Sequence, residues 1–217
     1  MDLLTPPGVF RPISDSWLLA DAVRREVQGR QTAVLDVCCG SGVVALAAAE
    51  AGAEVTAVDL SRRAVATTWL NARRHGLRVR VRRGRSFAPV DGERFDVITS
   101  NPPYVPSERD ELPERGLERA WAAGRDGRRV LDDLCDRAPD HLRPGGVILL
   151  VHSSLIGEQA TLDRLTAAGL AAEVVVRERG PLGPLMREQQ AAGTIPAEIA
   201  EEDVLVIRGV KPSVGGD

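Results

Sequence analysis

Asn101, Pro102, Pro103 and Tyr104 follow the apolar run 95–99, which has the composition of a strand and so places the tetrapeptide in the turn at its end. Two prolines stiffen that turn. An asparagine carboxamide oxygen and the Pro102 carbonyl, held fixed beside it, are two acceptors that match the two N–H bonds of a planar amide or amine. Accepting from those bonds raises electron density on a nitrogen whose lone pair is delocalised, and eases loss of its proton as a new bond forms. The Tyr104 ring can stack on the same plane. The set suits substitution at planar nitrogen, with Asn101, Pro102, Pro103 and Tyr104 as candidate catalytic residues. A rigid surface turn is the plainer reading, and the pattern upstream weighs against it.

That upstream pattern is Asp36, Val37, Cys38, Cys39, Gly40, Ser41, Gly42, which follows one apolar strand and opens a helix. Glycines there let the backbone approach a ligand closely, at the carboxyl ends of strands where open α/β sheets bind cofactors. Asp59, followed by Leu60, ends the next strand and is placed to accept hydrogen bonds from ribose hydroxyls. The spacing is not that of the dinucleotide fingerprint, and a carboxylate at Asp36 would face a pyrophosphate unfavourably. S-adenosylmethionine carries no phosphate, and its cationic sulfonium and amino groups tolerate carboxylates. It is the expected cofactor, with Asp36, Cys38, Gly40, Ser41, Gly42, Asp59, Leu60, Ser86 and Asn101 as candidate binding residues. The alternative is that the glycines only turn the chain and Asp59 only caps a helix.

The elements that must position these groups alternate between β-branched apolar runs and segments of helical period. Strands are predicted at 33–37, 54–58, 77–81, 95–99, 147–151, 172–177 and 203–208. Helices are predicted from Ser14 or Asp15 onward, at 43–51, from Ser61 to about His75, and at 128–141 and 158–168, with a helical piece from about 184 to about 200. Pro144, Gly145 and Gly146 punctuate the approach to the fifth strand. A single domain over 1–217 is expected, with a helical lead-in at 1–30 and a flexible tail at 209–217.

Composition agrees with one globular unit: 217 residues, 43% hydrophobic and 27% charged. No apolar stretch approaches the roughly 20 residues that span a bilayer, and no signal segment opens the chain, so a soluble cytoplasmic protein with no membrane partner is expected. Cys38, Cys39 and Cys135 form neither a metal-ligand pattern nor a disulfide framework. No metal is expected. A net charge of −3 weighs against a dedicated nucleic-acid binder. Lys211 is the only lysine, and much of the arginine falls between Arg62 and Arg85.

Asp-x-x-x-Gly-Ser-Gly, the acidic residue after strand two and Asn-Pro-Pro-Tyr after strand four resemble a class I S-adenosylmethionine-dependent methyltransferase, and within it the HemK/PrmC group of protein glutamine N5-methyltransferases. Residues 9–16 resemble the group's Pro-containing segment before a Leu-Leu helix, and residues 124–127 its Gly-x-Asp-Gly. The N-terminal helical domain of bacterial release-factor enzymes has no counterpart, so the expected branch is the short, single-domain, Mtq2-like one. The resemblance implies a Rossmann-like α/β fold: a mainly parallel seven-stranded sheet, helices on both faces and an antiparallel last strand. It also implies a glutamine side chain of a protein such as a release factor as substrate, and a small zinc-binding activator subunit as a possible partner. Cys38 stands where the group often has glycine, and Arg11 where the branch tends to have an acidic residue. Residues 84–87 stand where relatives show Gly-Asp, whose carboxylate receives the adenine amino group. Arg85 offers only donors, which leaves that task to backbone groups near Ser86.

The tetrapeptide alone does not select a substrate, because adenine N6 and guanine N2 present the same planar NH₂ group. The arginines between 62 and 85 suit phosphate contacts or a solvated face, with Trp69 the one aromatic among them. The acidic stretch with Glu108, Asp110, Glu111, Glu114 and Glu118 would repel phosphate, and either receives a basic polypeptide or is an ordinary exposed loop. An RNA or DNA base methyltransferase, a small-molecule N-methyltransferase and a non-catalytic scaffold remain the alternatives. His152 is expected to be structural, while Trp121 and the insertion after Gly180 are candidates to shape the substrate side.

Overall fold

The first five β-branched runs pair in parallel, because the chain crosses back over the sheet before each next run begins. The computed structural model describes residues 1–28, 31–114 and 116–213. Its strands are β1 Ala33–Val37, β2 Glu54–Asp59, β3 Val79–Arg83, β4 Phe95–Ser100, β5 Leu142–Ser153, β6 Ala171–Pro181 and β7 Glu201–Val210. The helices are α1 Ser14–Val27, α2 Val43–Glu50, α3 Arg62–Arg74, α4 Arg129–His141, α5 Glu158–Ala167 and α6 Pro184–Ala191. All seven strands form one sheet in the order β3-β2-β1-β4-β5-β7-β6. β7 runs antiparallel to both β5 and β6, and the other pairings are parallel. The Rossmann-like sheet with an antiparallel last strand is therefore the observed fold.

Two cores lie on the two faces of this sheet. On one, Leu19, Ala20 and Val23 of α1 meet the almost wholly apolar α2. On the other, Leu131, Leu134 and Cys135 of α4 pack with Leu165 of α5 over Leu35, Ile98 and Ile148. Strands buried on both faces carry continuous apolar sequence, which is why β1, β4 and the middle of β5 were plain to read.

Boundaries differ where an edge or a hairpin decides them. β3 lies two residues later than predicted, because the Leu77 amide bonds the Ala72 carbonyl and closes α3. Its alternating arginines belong to a half-exposed edge strand. β5 starts at Leu142, ahead of the Pro-Gly-Gly stretch, which stays extended and pairs Leu142 with Phe95 across a register shift. α6 stops at Ala191 rather than near 200; Gly193 takes φ +80° and Thr194 bonds back to Gln189. Gly209 and Val210, expected in the tail, pair with Ile148 and Val147 of β5. Residues 29 and 30 of the expected lead-in, and 214–217 of the expected tail, lie outside the described residues.

Candidate active site

The chain turns sharply after β1. Cys38, Gly40 and Gly42 all take positive φ (+62°, +55° and +91°), and the Gly40 amide donates to Asp59 Oδ2 at 3.0 Å. Asp59 Oδ1 accepts from the Ser61 amide at 2.7 Å, so one carboxylate ties the β1 turn to the start of α3. Burial raises the Asp59 pKa, against those two N–H donors that lower it. Asp36 is buried, with Oδ2 accepting from the Ala45 amide and Oδ1 from the Thr99 hydroxyl. Its burial outweighs both bonds and pushes the pKa up to about 7. Burial also pushes the Cys38 and Cys39 thiols up, which favours their protonated form.

These groups line a cavity of about 430 Å³, within the range of small-ligand sites. Asp36, Cys38, Gly40, Ser41, Asp59, Leu60, Ser86 and Asn101 all face it. Gly42 is set back from the lining: it begins α2, and a Cβ there would lie 2.8 Å from Thr68 Cγ2 of α3. Asn71 locks the arrangement from behind, donating to the Leu4 and Ser41 carbonyls and accepting from the Leu4 amide. The N-terminal segment, including Val9, Phe10 and Pro12, thereby forms one rim.

Three observations test whether S-adenosylmethionine suits this cavity. Asp59 offers a carboxylate with lone pairs to spare for a ribose diol. A Cβ on Gly40 would meet nothing within 4 Å, so open space reaches the backbone there. Ser86 Oγ is shielded from solvent and has no hydrogen-bond partner among the described residues. The residues fit a nucleoside with a cationic tail.

A second, narrower cavity of about 70 Å³ lies on the far side of the Asn-Pro-Pro-Tyr turn. Pro102, Tyr104, Trp121, Pro184, Leu185 and Glu202 are among its walls, and Phe10, Asn101 and Ala120 line both cavities. Asn101 thus stands in the partition. Its Nδ2 donates to Ser16 Oγ at 2.9 Å, which leaves Oδ1 without a hydrogen bond among the described residues. The Tyr104 hydroxyl donates to Asp15 Oδ2 at 2.7 Å, and burial first, then the Asp15 charge, raises its pKa well above the usual value. Asp15 and Ser16 are buried at the start of α1 and bonded to each other.

Residues 121–127 hold the turn from the other side. The Val105 amide donates to the Trp121 carbonyl, the Val105 carbonyl accepts from the Ala123 amide, and the Ser107 amide donates to the Gly124 carbonyl. Gly127, at φ +71°, passes so close to the Tyr104 carbonyl that a Cβ would sit 2.3 Å from it. This is the physical requirement behind the Gly-x-Asp-Gly segment. Ser16, Asp15 and Asn71 were missed by sequence reasoning; a Ser-Asp pair opening a helix looks like ordinary capping.

Other candidates fall elsewhere. His152 lines neither cavity; it is fully buried in β5, and burial lowers its pKa to about 4. Trp121 and residues 183–186 of the insertion line the narrow cavity. Among the arginines, Arg63 donates to the Pro7 carbonyl, Arg82 pairs with Glu93 and Arg83 donates to the Leu60 carbonyl. Those three serve the fold. Trp69 is half-exposed under the Arg73 guanidinium. No helix among the described residues is long and apolar enough to cross a membrane, and no group of three or more His, Cys, Asp or Glu is placed to hold a metal.

The family model described as methyltransferase small domain matches residues 1–120. A protein of Methanocaldococcus jannaschii, provisionally named a protein N5-glutamine methyltransferase, is 34% identical over 181 residues, covering 83% of this chain and 90% of that one. A release factor glutamine methyltransferase of Geobacter sulfurreducens is 34% identical over 157 residues, covering 69% of this chain. The chain spans 55% of that relative's length, and 61% of a release factor glutamine methyltransferase from Gloeobacter violaceus. Among solved structures, the E. cuniculi Mtq2-Trm112 complex, responsible for methylation of the termination factor eRF1, superposes with a TM-score of 0.63 at 22% identity, over 94% of this chain and 99% of that one. The T. thermophilus 16S rRNA N2 G1207 methyltransferase, solved with AdoMet and guanosine, gives 0.64 at 22% identity, over 94% and 46%. These two likenesses concern the fold.

Proposed function

Because the chain belongs to the methyltransferase small domain family, among the S-adenosylmethionine-dependent protein N5-glutamine methyltransferases, we propose that it methylates a glutamine side-chain amide in a protein of translation, a release factor foremost. The observation that carries this reading is Asn101 in the partition between a nucleoside-sized cavity and a narrow one, with Nδ2 held by Ser16 and Oδ1 free. Bound in the large cavity, S-adenosylmethionine supplies an electrophilic methyl group on a sulfonium. Asp59 holds the ribose, the Gly40 turn the backbone side, and Asp36 faces the cationic end.

The narrow cavity takes the carboxamide. Asn101 Oδ1 and the Pro102 carbonyl accept its two N–H bonds and turn the nitrogen toward the partition, while the Tyr104 ring, fixed through its hydroxyl by Asp15, packs on the amide plane. The bound cofactor would supply the methyl group from its sulfonium, while Asn101 Oδ1 and the Pro102 carbonyl would hold the nitrogen in line and ease release of its proton to water. Alignment of the three atoms is the main catalytic contribution. A small activator subunit is a possible partner, by analogy with the E. cuniculi complex.

The test is transfer of labelled methyl to recombinant release factor and, separately, to bulk RNA and DNA, by the purified chain and by Asn101→Ala. Label on the release factor that vanishes with Asn101→Ala, and when the target glutamine is replaced, is the expected result. Label on nucleic acid alone overturns the proposal. Activity of the chain by itself removes the need for an activator.

A further inference from the structure

Two carboxyl groups line the narrow cavity, Asp15 and Glu202. Asp15 is spent inside the protein: Oδ1 accepts from the Ser16 amide and hydroxyl, and Oδ2 from the Tyr104 hydroxyl. Glu202 is spent by half. It is only 8% exposed, and its Oε1 accepts from the Gly183 amide at 2.6 Å. Among the described residues no donor reaches Oε2, and no arginine, lysine or histidine pairs with the group. An enclosed carboxyl oxygen is costly to leave so, and is normally completed by a donor from elsewhere.

The register of the strands says which part of a substrate arrives there. Ser100 is level with Leu150 and Leu150 with Ile207, so Asn101 leaves the sheet one residue on, level with Val151 and Val206. Glu202 lies four residues farther out along β7, about 13 Å beyond that level at roughly 3.3 Å a residue. The two side chains therefore mark the inner and outer ends of one cavity. Ile13, Trp121, Leu185 and Met186 are among the walls between them, an apolar passage that suits the methylenes of a glutamine. A glutamine whose carboxamide nitrogen lies at Asn101 has its own backbone several bonds farther out, on the Glu202 side. We propose that Glu202 Oε2 accepts a hydrogen bond from the main-chain N–H of the target glutamine, an inference that rests on the narrow cavity being the carboxamide site. A basic side chain is a poorer occupant, since about 70 Å³ between apolar walls leaves no room for a guanidinium beside the glutamine. A nucleotide entering by an exocyclic amine would bring sugar and phosphate oxygens to the same place, acceptors against an acceptor. Glu202 thus selects polypeptide over nucleic acid.

The experiment is labelled-methyl transfer by the full chain to two semisynthetic release-factor domains, one with the natural peptide bond before the target glutamine and one with an ester there, which removes the N–H. Wild type is expected to lose about 10- to 100-fold in kcat/KM on the ester, the worth of one hydrogen bond to a charged group. Glu202→Gln keeps an oxygen for the Gly183 amide but turns a donor toward the cavity. It is expected to lose a similar factor on the natural domain and to treat the two substrates within about threefold of each other. A merely structural glutamate would make Glu202→Gln equally worse on both and leave the preference for the natural bond in place, which overturns the inference. Wild type that treats both substrates alike also overturns it, without any variant having to fold. Binding of S-adenosylhomocysteine with no transfer to the natural domain overturns the glutamine reading itself, and this inference with it.

Discussion

The two walls of the active site are built on different plans. The floor of the large cavity is one glycine turn and three strand ends between Asp36 and Ser86, with rims added by residues 8–16 and 101–134, and its carboxylates are braced by the Gly40, Ala45 and Ser61 amides. The narrow cavity is assembled from four distant places: the start of α1, the turn after β4, residues 121–127, and the α6 hairpin. Side-chain bonds that join residues 85 and 89 positions apart hold it together. A cofactor wall made of backbone can be set once for a whole family. A substrate wall made of side chains from separate elements can be altered piece by piece.

If the walls are independent, damage to one should leave the other working. Asn101→Ala is expected to lower kcat about 10²- to 10³-fold with cofactor affinity changed less than about tenfold, measured by labelled-methyl transfer and titration. Equal losses in both would mean that the partition is shared. Gly127→Ala forces a β-carbon against the Tyr104 carbonyl at positive φ and should cost about 2–4 kcal/mol in urea unfolding, again with cofactor affinity kept in the folded fraction. Ser16→Ala frees Asn101 Nδ2 and should lower kcat about tenfold, the order expected for one orienting bond; Ser16→Thr keeps the hydroxyl and should recover most of it.

A pH profile probes the cofactor wall alone. Burial holds Asp36 neutral below about pH 7 in the free protein, whereas a cationic ligand favours its ionised form. Binding therefore releases a proton, and affinity should rise up to about tenfold per pH unit until about pH 7 and level off above it. Calorimetry in buffers of different ionisation heat reads the released proton, and Asp36→Asn should flatten the profile. The sign for stability is opposite: with its folded pKa above the ordinary carboxylate value, Asp36 contributes less to stability as pH rises from about 4 to about 7. The smallest effect belongs outside both walls. Arg80→Ala on the exposed edge strand should shift stability by less than about 0.5 kcal/mol and leave methyl transfer unchanged.

The same contrast decides what could be read from the sequence. Asp36, Gly40, Asp59 and the Asn-Pro-Pro-Tyr turn sit in short runs whose chemistry is local, so strand, turn and ligand group were legible together. β1, β2 and β4 were placed to within a residue at each end, because burial on both faces leaves an unbroken apolar signal. The contact of Ser16 with Asn101 had no local signal. Gly127 was visible as part of a motif, but its cause is the backbone of a residue 23 positions earlier. β3 was displaced because its outward arginines hide the period, and α6 was overrun although Gly193, at φ +80°, and the Thr194 bond to Gln189 end it at Ala191.

The place of β7 has a consequence for the order in which the molecule can be made. β6 and α6 leave the ribosome before residues 201–210, yet among the described residues the only strand to which β6 hydrogen-bonds is β7. Until that last strand slots between β5 and β6, the α6 hairpin has no berth on the sheet, and Glu202, whose Oε1 accepts from the Gly183 amide, cannot fasten it. The nucleoside-sized cavity is complete by residue 134, while the narrow one waits for Val204. A nascent chain thus acquires every lining residue of the large cavity about seventy residues before it holds the last one of the narrow cavity.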